Sequence, residues 1–201
     1  MASMAAGVST RRYARTHDPL PAPDKPRSVS KSAVSRRWVA LTEDKLREWL
    51  SCSLKELELP VVMIDGIHFH ERVILIALGI DAQGHKHVLS LREGSTENTR
   101  VVRSLLSDLV ERGLDAERAR LWVIDGGKAL RKAIVECFGA RALIQRCQEH
   151  KRRNVVDHLP EHLQAGTGRA MRDAWHGGDA TRAKKQLLRL AGSLEAQHGP
   201  A

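Results

Sequence analysis

Apolar residues fall into short runs along this chain, and two of these runs end in the same way. Residues 61–64 and 121–124 are each four apolar residues followed directly by an aspartate and a glycine, with the acids at Asp65 and Asp125. A short apolar run bounded by turn residues is typical of a buried strand. The pattern therefore predicts two central strands of one sheet, each delivering an aspartate to its carboxyl end, where open α/β sheets place their chemistry.

The remaining apolar periodicity predicts the elements around these two strands. Strands are predicted at 72–80 and 85–91, joined by a turn. A helix is predicted at 95–112, capped by Ser95 or Thr96, closed by Gly113 and with its apolar stripe at Val101, Leu105, Leu106 and Leu109. A helix at 128–138, closed by Gly139, and a strand at 141–145 complete the series. The resulting order, βββαβαβ with a helical basic tail, predicts an α/β fold with a ribonuclease-H-like mixed sheet.

The same reading divides the chain into four parts. Residues 1–28 are rich in proline and predict a disordered end. Residues 29–58 predict a helical arm with a serine cap and a second helix beginning at Thr42. This arm is either a helix-turn-helix remnant or an ordinary amphipathic connector. Residues 59–160 predict the sheet core, and residues 161–201 a helix-rich basic tail.

Composition and charge narrow the class of protein. The 201 residues carry a formal charge of +9, which favours a polyanionic partner, nucleic acid before an anionic membrane. No apolar run approaches membrane-spanning length. The three cysteines, Cys52, Cys137 and Cys147, are few and odd in number, which indicates a reducing, cytoplasmic compartment.

Two carboxylates on neighbouring strands would repel each other unless a cation lies between them or one is protonated. Mg²⁺ suits such a site, because it prefers carboxylate oxygens and keeps coordination positions for phosphate. Two ions held there would serve phosphoryl transfer. The alternative is that Asp65 and Asp125 only cap the turns that follow them.

Residues from about 31 to 190 resemble the Mutator-type transposases of bacterial insertion sequences. The matching segments are Ser-Lys-Ser-Ala-Val-Ser-Arg at 30–36, Ile-Asp-Gly-Ile-His at 64–68, Gly-Ile-Asp-Ala-Gln-Gly-His-Lys at 79–86, Glu-Gly-Ser-Thr-Glu-Asn at 93–98, Ile-Asp-Gly-Gly-Lys-Ala-Leu at 124–130 and, above all, Gln-Arg-Cys-Gln-Glu-His-Lys-Arg-Arg-Asn-Val at 145–155. The resemblance implies a DDE transposase that uses Mg²⁺ (or Mn²⁺) bound by its catalytic acids, which match Asp65 and Asp125. It also implies double-stranded DNA as partner, at element ends and target, a homo-oligomer, and a nucleoid-associated location in the bacterial cytoplasm.

The run at 145–155 carries further candidate residues. Cys147 and His150 match a family signature pair beside the active site. Their spacing suits a metal, but a zinc site needs about four ligands, so a structural role is favoured. The basic side chains Arg146, Lys151, Arg152 and Arg153 are predicted to contact DNA phosphates, the alternative being a solvated helix face.

One departure from the family lowers the expected activity. The resemblance implies a third catalytic acid, a glutamate in a stretch like Asn-Ile-Ile-Glu-Asn, and neither Glu161 nor Glu195 has that context. The resemblance thus implies that residues 59–160 are an incomplete catalytic core and residues 161–201 the start of a truncated helical insertion. We therefore expect a truncated, inactive or feeble transposase. Two alternatives stay open: a DNA-binding remnant without chemistry that modulates full-length transposase, and an α/β phosphotransferase or hydrolase acting on small phosphate esters.

Overall fold

A computed structural model of the chain describes residues 30–94 and 99–198, which form two compact units, one ending at Glu56 and the other beginning at Leu57. In the first unit, helix α1 spans Lys31–Leu50. Its first turn is capped by Ser30, whose side-chain oxygen accepts a hydrogen bond from the amide of Ala33 at 3.2 Å. The serine cap is therefore confirmed, whereas the disordered end predicted for residues 1–28 lies outside the described residues.

The prediction of a second helix beginning at Thr42 is wrong, because α1 continues through this position without a break. The Thr42 hydroxyl donates a hydrogen bond to the carbonyl of Trp38 at 2.8 Å, one turn earlier in the same helix. A threonine that bonds back in this way is satisfied inside a helix and leaves no reason to start a new one.

The second unit is built on a five-stranded mixed sheet with helices between and after its strands. The strands are β1 (Val61–Phe69), β2 (Arg72–Ile80), β3 (Lys86–Gly94), β4 (Arg120–Ile124) and β5 (Ala142–Arg146). The helices are α2 (Thr99–Glu111), α3 (Lys128–Phe138), α4 (Gln148–Val156), α5 (Glu161–His176) and α6 (Ala180–His198). This order confirms the predicted fold class, a ribonuclease-H-like mixed sheet. The caps predicted at Ser95 or Thr96 lie outside the described residues.

The sheet order is β3-β2-β1-β4-β5, with β2 antiparallel to its neighbours β1 and β3, and β1, β4 and β5 parallel. In the parallel register, Ile64 of β1 lies opposite Ile124 of β4. Strand β1 does not end at the aspartate, as the sequence pattern predicts, but continues through Phe69 because it stays paired with β2. Asp65 therefore lies inside β1, at the level where its parallel pairing with β4 stops.

One face of the sheet forms the core with helices α2 and α3. Alternate residues along the strands are buried, as expected when one face packs and the other does not. The largest fully buried side chains include Val62, Ile64, Leu75, Leu105, Leu106, Leu109, Trp122, Ile124, Leu130 and Ile134. The ring of Trp122 lies 4.6 Å from that of Phe138, between centroids. On α2, Val102 takes the buried position predicted for Val101.

Glycines end the two core helices as the sequence predicts. Gly113 follows α2 with φ of 102°, and Gly139 follows α3 with φ of 56°, both in the left-handed region that glycine adopts without strain. Within the two described ranges, no helix combines the length and the apolar character needed to cross a membrane.

Candidate active site at the carboxyl edge of the sheet

The two predicted catalytic aspartates follow aligned residues on adjoining parallel strands. Asp65 comes directly after Ile64, Asp125 directly after Ile124, and these two isoleucines are partners in the β1–β4 register. Neighbouring strands lie about 4.8 Å apart, so the two backbones are adjacent at this level. The Asp65 side chain is 57% exposed, and Asp125 is half-buried. Both isoleucines face the core, so the alternation of a strand turns both acids away from it.

Each aspartate makes one local hydrogen bond. Asp65 Oδ1 accepts from the amide of Gly66 at 2.9 Å, and Asp125 Oδ1 accepts from the amide of Gly127 at 2.7 Å. The turn-capping alternative thus describes part of what these side chains do. Among the described residues, no hydrogen bond reaches Oδ2 of either carboxylate. Each acid therefore keeps lone pairs for a further ligand.

Arg146, at the end of β5, holds the turn that follows Asp125. Its Nε donates to the backbone carbonyl of Asp125 at 3.1 Å. Its guanidinium lies against Gly126, where a Cβ atom would come within 2.7 Å of Nε. Gly126 also has φ of 105°, a backbone conformation that favours glycine, and a Cβ at this position would force Arg146 to move. At the next residue, the amide of Cys147 donates to the carbonyl of Ile124 at 2.6 Å and continues the β4–β5 pairing past the end of β5.

Asn154 is a residue of the site to which sequence reasoning assigned no role. With its amide in the orientation that satisfies both ends, it accepts from Arg146 Nη2 at 2.6 Å and donates to the carbonyl of His150 at 3.1 Å. Its spacing was the available signal, because residues four apart on a helix lie one above the other. Arg146, Asn154 and the backbone of His150 are thus connected by hydrogen bonds.

His150 lies beside Asp65, and Cys147 occupies the N-cap position of α4 without a capping hydrogen bond from its side chain. His150 Nε2 is 3.6 Å from Asp65 Oδ1, which is longer than a hydrogen bond, while its Nδ1 is buried with no partner among the described residues. The structure therefore brings one member of the signature pair to the carboxylates. It does not gather a further metal-ligand set around Cys147 and His150 within the described residues.

The predicted phosphate contacts on α4 differ in how far their charge is already paired. Arg152 and Arg153 both bind Glu149, through an Arg152 Nε–Oε2 bond of 2.9 Å and an Arg153 Nε–Oε1 bond of 3.2 Å. The hydrogen bond from Arg152, assisted by the charge of Arg153, lowers the pKa of Glu149 from 4.5 to about 2. Lys151 is exposed and, within the described ranges, has no carboxylate partner.

The donor set at this edge suits a hard cation with other ligands of its own. No group of three or more His, Cys, Asp or Glu side chains in the described residues is placed to hold a metal ion. Glu161 begins α5 and Glu195 lies in α6, and neither joins the two aspartates there. Mg²⁺, however, is commonly held by one or two carboxylates and completes its shell with water and substrate phosphate. Asp65 and Asp125 fit that requirement.

Comparison with known proteins gives one family and several relatives. The family model described as "Transposase, Mutator family" matches residues 1–199. The chain is 28% identical over 179 residues to the transposase for insertion sequence element IS6120 of Mycolicibacterium smegmatis, covering 86% of this chain and 54% of the relative. It is 31% identical over 206 aligned positions to the transposase for element IS406 of Burkholderia multivorans, covering 96% of this chain and 50% of the relative.

The chain spans about half the length of these curated relatives. Among solved structures, the catalytic core domain of BIV integrase is similar over 72% of this chain and 87% of its own, with a TM-score of 0.32 and 13% sequence identity.

Proposed function

The chain belongs to the Mutator family of transposases, and from that premise we propose that its sheet edge performs metal-dependent cleavage and transfer of DNA strands. The substrate would be double-stranded DNA, at element ends and at the target. The observation that carries this proposal is the parallel register that makes Asp65 and Asp125 neighbours, with free oxygens on both carboxylates. The DDE assignment is part of the same proposal.

In this proposal Asp65 and Asp125 hold Mg²⁺ (or Mn²⁺). When bound, one ion would activate water or a 3′-hydroxyl, and a second would stabilise the departing 3′ oxygen. The protein's own part is positional: the amides of Gly66 and Gly127 each hold one carboxylate oxygen. The other oxygen of each acid is then available without a change of backbone conformation. Preorganised oxygens of this kind lower the cost of assembling the reacting groups.

DNA would be bound by the positive charge of the chain. The formal charge is +9, and Lys151, Arg152 and Arg153 lie on the short helix that also carries His150. Because Glu149 pairs with both arginines, we propose Lys151 as the strongest of these phosphate contacts. The homo-oligomer and the nucleoid-associated cytoplasmic location implied by the family resemblance stay predictions.

We further propose that the 201-residue chain binds metal weakly and cuts feebly. Within the described residues only two carboxylates meet at this edge, and each supplies both charge and coordination to a bound ion. An assay of strand cleavage on element-end DNA with Mg²⁺ or Mn²⁺, together with Mn²⁺ binding followed by electron paramagnetic resonance, tests both parts. Asp125→Asn should abolish Mn²⁺ binding, whereas Glu195→Gln, a matched acid on α6, should leave it unchanged.

The outcomes separate cleanly. Vigorous cutting that Asp125→Asn abolishes would refute the weak activity and support the family chemistry. Mn²⁺ binding that is equal in wild type, Asp65→Asn and Asp125→Asn would refute the metal site itself.

A second candidate function is DNA binding without catalysis, and it is favoured because the exposed cation Lys151 lies on α4, apart from the two candidate catalytic acids in sequence. Lys151 is exposed and, among the described residues, pairs with neither aspartate, so it would bind a DNA phosphate without any metal. The chain would then act as a DNA-binding module that modulates a longer transposase. Salt-dependent DNA binding that is unchanged by Asp65→Ala and needs no divalent ion, in a chain that binds no Mn²⁺, would select this function over strand transfer.

A further inference from the structure

We propose that Arg146, anchored by Asn154, is a positioning residue for Asp125 and not the phosphate contact that the basic sequence run predicts. The inference rests on the proposed function for the role of Asp125. The contacts that carry it, however, are present without any metal or DNA. They connect the end of β5, the turn after β4 and helix α4 through one side chain.

The first contact fixes the backbone next to the acid. Arg146 lies opposite Ile124 in the β4–β5 register, so its side chain starts level with the residue before Asp125. From there Nε reaches the Asp125 carbonyl at 3.1 Å, and the guanidinium fills the space beside Gly126 that a Cβ would otherwise occupy. The peptide between Asp125 and Gly126 is therefore held by a hydrogen bond and by packing.

The second contact fixes the arginine. Asn154 accepts from Nη2 at 2.6 Å, and its own amide nitrogen donates to the carbonyl of His150 at 3.1 Å. Arg146 thus donates in two directions from one rigid plane. A lysine ammonium is a point charge on a flexible stem and cannot reproduce this geometry, although it would preserve the positive charge.

The held turn controls the carboxylate. Asp125 Oδ1 accepts from the amide of Gly127, two residues along the same turn. If the Asp125–Gly126 peptide rotates, the Gly127 amide moves with it, and the carboxylate loses its orientation. Functional side chains tolerate only small displacements before they lose effect. Arg146 thus acts on Asp125 through the backbone.

The experiment compares position with charge. Arg146→Lys keeps the charge and loses the two-directional donor, Asn154→Ala frees the arginine, and Arg189→Lys, at an exposed arginine of α6, is the matched control. In the metal-free protein, hydrogen exchange of the Gly127 amide should rise about tenfold in Arg146→Lys and Asn154→Ala, and stay unchanged in Arg189→Lys. Mn²⁺ affinity should fall at least about fivefold in the first two variants only, since the displaced carboxylate coordinates less well.

DNA binding supplies the opposing readout. If Arg146 positions Asp125, Arg146→Ala leaves the salt dependence of DNA affinity at its wild-type slope, while Gly127 exchange and Mn²⁺ affinity change in both Arg146→Ala and Arg146→Lys. Wild-type exchange at Gly127 and wild-type Mn²⁺ affinity in Arg146→Lys, combined with a reduced salt slope in Arg146→Ala, would overturn the proposal in favour of a phosphate contact. Circular dichroism melts of every variant separate a local change from unfolding.

The failure of the proposed function is distinguishable from failure of this inference. If wild type binds no Mn²⁺ but exchange at Gly127 rises in Arg146→Lys, the positioning role stands and the metal chemistry falls. If Asp125→Asn abolishes Mn²⁺ binding and Arg146→Lys changes nothing, the metal site stands and the positioning role falls.

Discussion

The aspartates at the two ends of the sheet differ in how many hydrogen-bond partners their carboxylates have. At the β2–β3 turn, Asp81 accepts from the amides of Gln83 and His85 at 3.0 and 2.8 Å, and the ring nitrogens of His85 and His87 lie 3.2 and 2.9 Å from its Oδ2. Only 15% of this side chain is exposed.

At the carboxyl edge, Asp65 and Asp125 each accept one backbone hydrogen bond, and the Oδ2 atoms have no hydrogen bond among the described residues. An acid whose oxygens are all occupied stabilises a turn. An acid with free lone pairs beside a second carboxylate is available for a ligand, and the difference is one of partners, because the residue type is the same.

Asp108 on α2 is a second aspartate whose two oxygens both have partners, and it lies in the partly buried layer between helix and sheet. Its Oδ1 pairs with Arg92 Nη2 at 2.7 Å, and its Oδ2 accepts from the Ser90 hydroxyl at 2.7 Å and from Arg112 Nη1 at 3.2 Å. The Asp108 side chain is 14% exposed and that of Arg112 is 9% exposed. This cluster ties α2 to β3 and is structural by the same criterion as Asp81.

The largest expected effect is a loss of folding stability when the cluster of Asp108, Arg92 and Arg112 is broken. Asp108→Ala leaves Arg92 and Arg112 without their shared carboxylate in a partly buried layer, and it should lower the free energy of unfolding by about 3–5 kcal/mol. Urea unfolding measures this loss. A loss below about 1 kcal/mol would show that solvent reaches the arginines and that the cluster is not closed.

The second-largest effect is expected at the carboxyl edge of the sheet, where Asp65 and Asp125 keep oxygens without hydrogen bonds among the described residues. Asp65→Asn should weaken Mn²⁺ binding by about 100-fold or more, because it removes one of two carboxylate charges. Its stability should stay within about 0.5 kcal/mol of wild type, since an exposed acid with one local hydrogen bond contributes little. Asp81→Asn is the matched control and should show the reverse pattern, with Mn²⁺ binding kept and stability lowered. Equal behaviour of the two variants would erase the distinction between the edges.

The pH dependence of stability should sharpen the comparison. Hydrogen bonding, first from His87 and then from the His85 and Gln83 amides, lowers the pKa of Asp81 from 3.8 to about 2. A carboxyl with a lowered folded pKa stabilises the protein above its unfolded value and loses that contribution as pH falls from about 4 toward 2. Urea unfolding across this window should show a decline in wild type that Asp81→Asn flattens. An identical decline in both proteins would contradict it.

The smallest effect is expected on DNA affinity. Lys151→Ala should reduce the slope of log affinity against log salt by about 1, because it removes one phosphate contact. Arg153→Ala should change the slope less, since its charge is shared with Glu149. Fluorescence anisotropy on duplex DNA at several salt concentrations measures both slopes. A larger change in Arg153→Ala would mean that Glu149 releases the arginine when DNA binds.

The chain of residues by itself determined most of the elements and placed each of the two acids directly after a buried apolar run. The buried strands ending near Asp65 and Asp125, helix α3 with Gly139 after it, and the mixed βββαβαβ order all follow from apolar periodicity and turn chemistry. These signals are local, because a strand or helix repeats its burial every two or about 3.6 residues.

The tertiary structure alone decided which polar groups meet. It extended β1 past Asp65 through pairing with β2, kept α1 continuous at Thr42, and brought Arg146 into contact with the Asp125 carbonyl and Asn154. Such partnerships depend on register and on residues distant in sequence. A local pattern of charge cannot distinguish an arginine that binds phosphate from one that holds a turn, because both need the same guanidinium and differ only in what lies within about 3 Å of it.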